Sequence, residues 1–495
     1  MKASNNLKKY LLLLGIGLFT LSFLASEEIP LSLSDCIRMA MQKNIALSLK
    51  RLNPEISKAK RLAAQGAFDL NFNLDHSYSE ADNPTSSTAF TTTHADSHST
   101  ELTQKIPFGT TFGLSNTFAN STTNTKSFID SYSTFWGASF TQPLLKNFGT
   151  KINLFDIQSA GIEIQIQEAN YQNEIDQTVT DVANAFFELL FSRQDYESKK
   201  ISLKFSEQLL SENKARLEIG TMTKLDLSQA NSEVSTRQEE LLRSEREIRT
   251  RENTLKLLIS DQFEEWLSKE ILPNPDSVFE TTPPSLKKAF QNALTNRPDL
   301  QALRKSAEQK NLTVQYRKNQ DWPELDLLGN YGLNGLDRSP GSSLRDTAEL
   351  NKDEWLIGLS LKIPLQNRAA IGARQQSQLL QQQALIEIKQ KEQSILAEVD
   401  NAIGQVLTNQ KRVESTQTAR EFIEETVEAE EEKFKQGSST TFTLLRLQRD
   451  YSDAKSKEIR SKIDLEKALA ELHRVQGLSL IYAQENKEKT PFANP

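Results

Sequence analysis

The sequence predicts an α+β membrane chain in which transmembrane β-strands alternate with very long α-helices, arranged as two similar halves. Three observations carry this reading. An apolar leader exports the chain, the sequence overlays on itself, and a polar, aromatic-rich stretch of alternating residues lies between proline-free helical segments. Composition narrows the field further. Across 495 residues, 37% hydrophobic content against 25% charged is thin for three compact cores and suits a surface-rich chain. The 59 basic and 66 acidic side chains leave a net charge of -7, with no broad positive field to hold nucleic acid. A single cysteine, Cys36, excludes an internal disulfide, and four histidines (His76, His94, His98, His473) are a poor supply for zinc.

The leader comes first. Lys2, Lys8 and Lys9 precede the apolar run YLLLLGIGLFTLSFLA at 10–25, which passes directly into Ser26-Glu27-Glu28, so residues 1–26 read as a signal peptide, with an uncleaved anchor as the alternative; either one exports the chain. Cys36 follows too late to be a lipid-attachment cysteine, and is expected to be a buried helix residue.

An offset of 253 then lays LSDCIRMAMQKNIAL from Leu33 over LKKAFQNALTNRPDL from Leu286 without a gap. An offset of 221 superposes Pro143 on Pro364, and one of 217 superposes Gly220 on Gly437. The falling offsets give the first copy about 32 extra residues before Pro143. Two repeats follow from this. The first, 27–270, holds a helix at 32–66, strands within 68–145 and a helical hairpin at 151–268 with its tip at 220. Pro273, Pro275, Pro283 and Pro284 mark a linker at 271–284. The second repeat, 285–477, holds a helix at 285–320, strands within 323–365 and a hairpin at 368–476 with its tip at 437, leaving a tail at 478–495.

Residues 151–218 lack proline and would reach roughly 100 Å as one helix. Beyond Gly220 an apolar residue recurs every seventh position at Leu227, Val234, Leu241, Ile248 and Leu255. Past Gly437 the same spacing gives Leu444, Tyr451, Glu458, Leu465 and Leu472. This is coiled-coil spacing, with a narrow seam and otherwise wet faces.

Between 83 and 145 only Asp96, Glu101, Lys105, Lys126 and Asp130 are charged. Phe72, Leu74, His76 and Tyr78 alternate with Asn71, Asn73, Asp75 and Ser77, and Phe68 and Leu70 extend the apolar series upstream. Phe112, Leu114 and Phe118 repeat the pattern, as do Trp136, Ala138 and Phe140. In the second copy it returns at Leu325, Leu327, Tyr331 and Leu333 and again at Trp355, Ile357, Leu359, Leu361 and Ile363. Alternation alone fits a soluble β-sandwich as well as a lipid-facing barrel. Export and the long interleaved helices favour the barrel, because a sandwich gives such helices no task. Two stretches in the insertion, 100–106 and 109–119 hinged at Pro107-Phe108-Gly109, would raise the count to six strands per chain. The alternative puts that hairpin outside the barrel wall.

The chain resembles the TolC family of outer-membrane efflux proteins from Leu31 to about Gly477. The resemblance rests on LSLSDCIRMAMQKN from Leu31, its second copy NALTNRP from Asn292, the QPLL at Gln142, and the turns RLEIGTMTKLDL from Arg216 and KFKQGSSTTFTL from Lys433. It implies a homotrimer in the outer membrane, with one shared transmembrane β-barrel continued by a periplasmic coiled-coil helical barrel. That trimer would dock on a periplasmic adaptor (membrane fusion) protein coupled to an inner-membrane pump. The implied function is a passive exit channel of a tripartite efflux or type I secretion system. An exported coiled-coil adaptor or structural rod without a barrel is the alternative.

No catalytic set or cofactor motif is found, so no enzyme is expected, and His94 and His98, within 91–98, read as extracellular loop rather than a metal site. The adaptor-docking tips are expected at Gly220, Thr221, Met222, Gly437, Ser438 and Ser439, with Thr221, Met222, Ser438 and Ser439 exposed. Resemblance puts the channel constriction six and nine residues past each tip glycine. Acidic rings found there in some members are replaced by Thr443 and Arg446, with Asp226 and Gln229 in the first copy. An Asp226–Arg446 tie between neighbouring helices is therefore expected in the closed state.

Overall fold

The computed structural model describes residues 27–86, 89–124, 128–274, 285–350 and 352–479. The signal segment, residues 275–284 of the linker and the tail from 480 lie outside them. The first elements are β1 (Glu27–Leu31), α1 (Leu33–Lys43), α2 (Ile45–Gln65), β2 (Asn71–Ser86), β3 (Ala89–Lys105), β4 (Thr111–Asn124) and β5 (Phe128–Pro143). Then come α3 (Phe155–Glu218), α4 (Lys224–Ile259), β6 (Lys269–Pro273), α5 (Leu286–Asn296) and α6 (Pro298–Gln320). The chain continues with β7 (Glu324–Asp337), α7 (Pro340–Ala348), β8 (Asp353–Lys362), α8 (Arg368–Lys435) and α9 (Thr441–Val475). They fall into two compact units.

One unit gathers the described residues within 27–48, 175–293 and 398–479. Its opening helix α1 starts at a reciprocal cap: Asp35 N donates to Ser32 Oγ at 3.1 Å and Ser32 N to Asp35 Oδ2 at 3.4 Å. Leu33, Cys36, Ile37 and Ala40 form its buried stripe. Burial, with the Asp35 charge adding to it, pushes the Cys36 thiol up to about 12, so this cysteine is an inert core residue, as its sequence position implied. The helix expected over 32–66 is two helices. Asn44 takes an extended conformation between them, accepting from Leu47 N at 2.9 Å and donating to the Leu258 carbonyl at 2.9 Å. Similarly, the helix expected over 285–320 breaks at Arg297, held extended by Pro298. β1 pairs in parallel with β6, Glu27 opposite Lys269, so a strand occupies part of the expected linker.

Along α4, Ala230, Arg237 and Ser244 are fully buried, while the seam residues Leu227, Val234, Leu241 and Ile248 are half-buried and the last seam residue, Leu255, is fully buried. Over the first three heptads the apolar seam is thus set off by three residues from the positions that bury most within the chain. Arg237 is tolerated because Glu233 and Glu240 lie one turn away on the same helix, at 2.7 and 2.8 Å. On α9, Leu444, Glu458, Leu465 and Leu472 are buried as the heptad required, and Arg420 and Lys462 neutralise Glu458 at 2.8 and 2.7 Å.

The other unit, 49–174 with 294–397, contains a six-stranded antiparallel sheet in the order β2-β3-β4-β5-β7-β8. The insertion hairpin lies inside this sheet, between β2 and β5, which settles its place against an excursion off the sheet. It reverses at the expected Pro107-Phe108-Gly109, where Gly109 N donates to the Ile106 carbonyl at 2.9 Å. β2 begins only at Asn71, because Gly66–Phe68 is a 3-10 turn; Phe68 and Leu70 are not part of the strand. Among the described residues no helix is long and apolar enough to cross a membrane.

Candidate functional site

Strand register sorts the side chains onto two faces. Leu102 faces Leu114, Phe112 faces Phe140, Trp136 faces Leu333, Leu327 faces Leu359 and Tyr331 faces Trp355, all on one face. The opposite face carries Asn73, Ser99, Ser115, Thr117, Ser139 and Asn330. The apolar face is bare: Trp355, Ile357 and Leu359 keep 72%, 71% and 68% of their surface exposed. A soluble protein does not leave so continuous an apolar surface in water. β2 and β8 are the end strands of the sheet, each with one backbone edge unpaired among the described residues.

The two tips share one turn. Gly220 and Gly437 take φ of 78° and 76°, the left-handed conformation that ends a helix without strain only at glycine. Thr221 N closes onto the Arg216 carbonyl at 2.9 Å and Ser438 N onto the Lys433 carbonyl at 2.8 Å. Thr223 and Thr440 then cap α4 and α9. Thr221 and Ser438 are exposed, as expected, but Met222 and Ser439 are not fully so. Met222 packs on the cluster of Leu209, Phe434, Leu444 and Leu445, because a thioether beside an apolar cluster buries itself, and Ser439 donates to Glu430 Oε1 at 2.6 Å. That bond and Lys433 hold the Glu430 carboxyl below its usual range. Asn213 to Thr441 at 3.2 Å, and Arg216 stacked 4.7 Å from the Phe434 ring, join the tips to each other.

The four positions expected at a constriction divide differently. Asp226 and Thr443 are both the third residue of a capped helix. Asp226 Oδ2 accepts from Thr223 N at 3.1 Å and from its hydroxyl at 2.5 Å. Thr443 N donates to Thr440 Oγ1 at 3.2 Å. Gln229 is half-buried and Arg446 exposed. Among the described residues Asp226 and Arg446 form no ion pair within the chain, because the carboxylate is engaged by its own N-cap.

Deeper in this unit, Glu188 receives Arg460 at 3.0 Å and Lys467 at 2.6 Å, tying α3 to α9. Burial opposes its charge, yet these two cations hold the carboxyl below its usual range. Glu466 has no such relief. Its Oε2 is enclosed without a hydrogen-bond partner, and burial raises the carboxyl to about 8.

The segment 91–98 is strand, not loop. It stays paired to β2 and β4 although both of its faces are polar, which is why hydrophobic alternation did not show it. Register sets His76 opposite His98, their rings stacked with centroids 4.5 Å apart, and brings Asp96 to the same face. Asp96 Oδ1 lies 3.3 Å from His76 Nδ1 and 3.7 Å from His98 Nε2. Sequence reading took His94 together with His98, but His94 stands two rows away on the same face, against Glu80 at 3.5 Å. The spacing of His76 and His98 about a single hairpin was the signal available.

The family described as outer membrane efflux protein matches residues 37–260 and 289–478. The outer membrane efflux protein BepC of Brucella suis is 22% identical over 319 residues, 63% of this chain and 65% of that protein. The pyoverdine export outer membrane protein OpmQ of Pseudomonas putida is 23% identical over 304 residues, 60% of this chain and 61% of its own. Both matches thus span less than two thirds of the relative. The Campylobacter jejuni CmeC outer membrane channel has a similar fold, with a TM-score of 0.69 at 14% identity, covering 93% of this chain and 90% of that one. VceC of Vibrio cholerae gives 0.67 at 17%, covering 90% and 96%. With a bare apolar sheet face, paired glycine tips and a family match across most of its length, the chain belongs to the outer membrane efflux proteins.

Proposed function

We propose that three copies of this chain close their sheets into one barrel across the outer membrane and conduct cargo passively from a periplasmic helical conduit to the exterior. The observation that carries this is the exposed apolar sheet face backed by a small-polar one, the arrangement a water-filled barrel in lipid requires. Edges β2 and β8 would meet between neighbouring copies, since an unpaired strand edge is untenable in hydrocarbon. Three six-stranded sheets give eighteen strands. A second support for association is the exposed stripe Ile45, Leu49, Leu52 and Ile56 on α2, whose four- and three-residue spacing is a helix-packing seam awaiting another copy.

The two halves of the chain act as structural repeats in this reading, and the tips at Gly220 and Gly437 are the docking surface for a periplasmic adaptor linked to an inner-membrane pump. The level of Asp226, Gln229, Thr443 and Arg446 is the constriction. Purified protein should run as a heat-modifiable, detergent-requiring trimer and give ohmic conductance in planar bilayers. A soluble monomer without conductance would instead favour an exported rod.

A further inference from the structure

We propose that His76, Asp96 and His98 form a binding site for a divalent transition-metal ion of the zinc class on the apolar-side face of the sheet, toward the β2–β3 turn. This assignment does not depend on the channel reading. Two imidazoles and one carboxylate converge from two hydrogen-bonded strands, with all three ligand atoms within 4.8 Å of one another. Donors bound to zinc at 2.0–2.2 Å in a tetrahedron stand about 3.4 Å apart. The measured separations from Asp96 Oδ1, 3.3 Å to His76 Nδ1 and 3.7 Å to His98 Nε2, bracket that edge.

The ligand atoms are also prepared for a cation. Asp96 Oδ1 is enclosed and accepts no hydrogen bond among the described residues, so a negative oxygen points between two imidazoles with its electron pairs unused. The stacked rings, inclined by only 21°, bring both histidines to that oxygen together. β3 is clamped between β2 and β4, with Asp96 opposite Asn120 and His98 opposite Phe118, so the ligands sit on fixed backbone rather than on a loop.

Imidazole with one carboxylate selects zinc, copper or nickel over magnesium or calcium, which prefer all-oxygen shells. Three protein ligands leave a coordination position open to water or to a donor from outside the chain. His94, held by Glu80 and by the Tyr78 hydroxyl at 3.3 Å, lies outside the ligand set. A bound ion would cross-link β2 to β3.

The test uses the full chain in detergent, purified through a tag without histidine and titrated with Co2+. One Co2+ per chain should bind with the intense visible bands of a four-coordinate site, and Zn2+ should displace it. His76→Ala and His98→Ala should each weaken binding at least tenfold, whereas His94→Ala should not. Both ligand histidines have half-exposed side chains, so these variants should keep the wild-type circular dichroism. In the unmutated chain, Zn2+ should slow amide exchange around residues 76 and 98. Absence of stoichiometric uptake, uptake that survives His76→Ala combined with His98→Ala, or unchanged exchange would each overturn the site.

Discussion

The tip from Arg216 to Asp226 and the tip from Lys433 to Thr443 make the same turn with different chemistry beyond it. Both use a left-handed glycine, the same backbone closure and a threonine cap. They part at the third helical residue, where Asp226 completes a capping box and Thr443 offers only a hydroxyl, 3.0 Å from its cap. Below the tips the contrast widens. The first hairpin's return helix neutralises Arg237 along its own length, whereas the second hairpin's return helix bonds across to other helices through Glu458, Arg460 and Lys467, and carries the unrelieved Glu466. The turn is therefore set by glycine and threonine, and the residues after it are free to differ in charge.

The largest effect expected concerns what the tips share. Thr221→Arg combined with Ser438→Arg alters the two exposed positions and spares Met222 and Ser439, which hold the turns together. Export should be abolished while the trimer and its conductance persist; normal export by the double variant would end the docking proposal.

Next comes the carboxyl found only in the second hairpin. The Glu466 carboxyl is raised from 4.5 to about 8, so the native state holds a proton that the unfolded chain releases. Stability associated with this group is complete below about pH 4.5 and is lost as pH rises through about 8. Glu466→Gln should match the wild type near pH 4.5 and unfold several degrees higher near pH 8.5, on the scale of a ΔΔG of about 1–2 kcal/mol. Equal midpoints at both pH values would show that the carboxyl is solvated.

The capping difference predicts a smaller asymmetry. Asp226→Ala should destabilise the first turn of α4 by about 0.5–1 kcal/mol, and Thr443→Asp should strengthen that of α9 by a similar amount. Amide exchange at each helix start reads both. Identical responses would mean that the two N-termini are not distinguished by their third residue. The smallest effect tests the constriction: Arg446→Asp should shift the reversal potential across a salt gradient toward cations. Unchanged selectivity and conductance would remove Arg446 from the pore lining.

Much of the fold was legible in residues that act locally. Gly220 and Gly437, the alternation around Trp136 and Trp355, and Pro107 to Gly109 each dictate backbone geometry by themselves. What was hidden depends on partners distant in sequence or on competition for one group. Residues 91–98 form a strand because two neighbours pair with them, not because of their own pattern. His76 meets His98 through register, which a slip of one residue would undo. Asp226 lies six residues past Gly220 and also three past Thr223, and the cap it makes follows from the second spacing, not the first.

The parallel pairing of β1 with β6 has a consequence for the order of assembly. Two five-residue strands make few bonds, and bringing Glu27 to Lys269 closes a loop whose entropic cost is on the order of 5 kcal/mol. The pair therefore cannot nucleate. It behaves as a latch, engaging once α3 and α4 have folded back on each other and delivered residue 269 to Glu27. Protection of the Ile271 amide, which donates to the buried Glu252 carboxylate, would mark the moment at which the first half of the chain is shut.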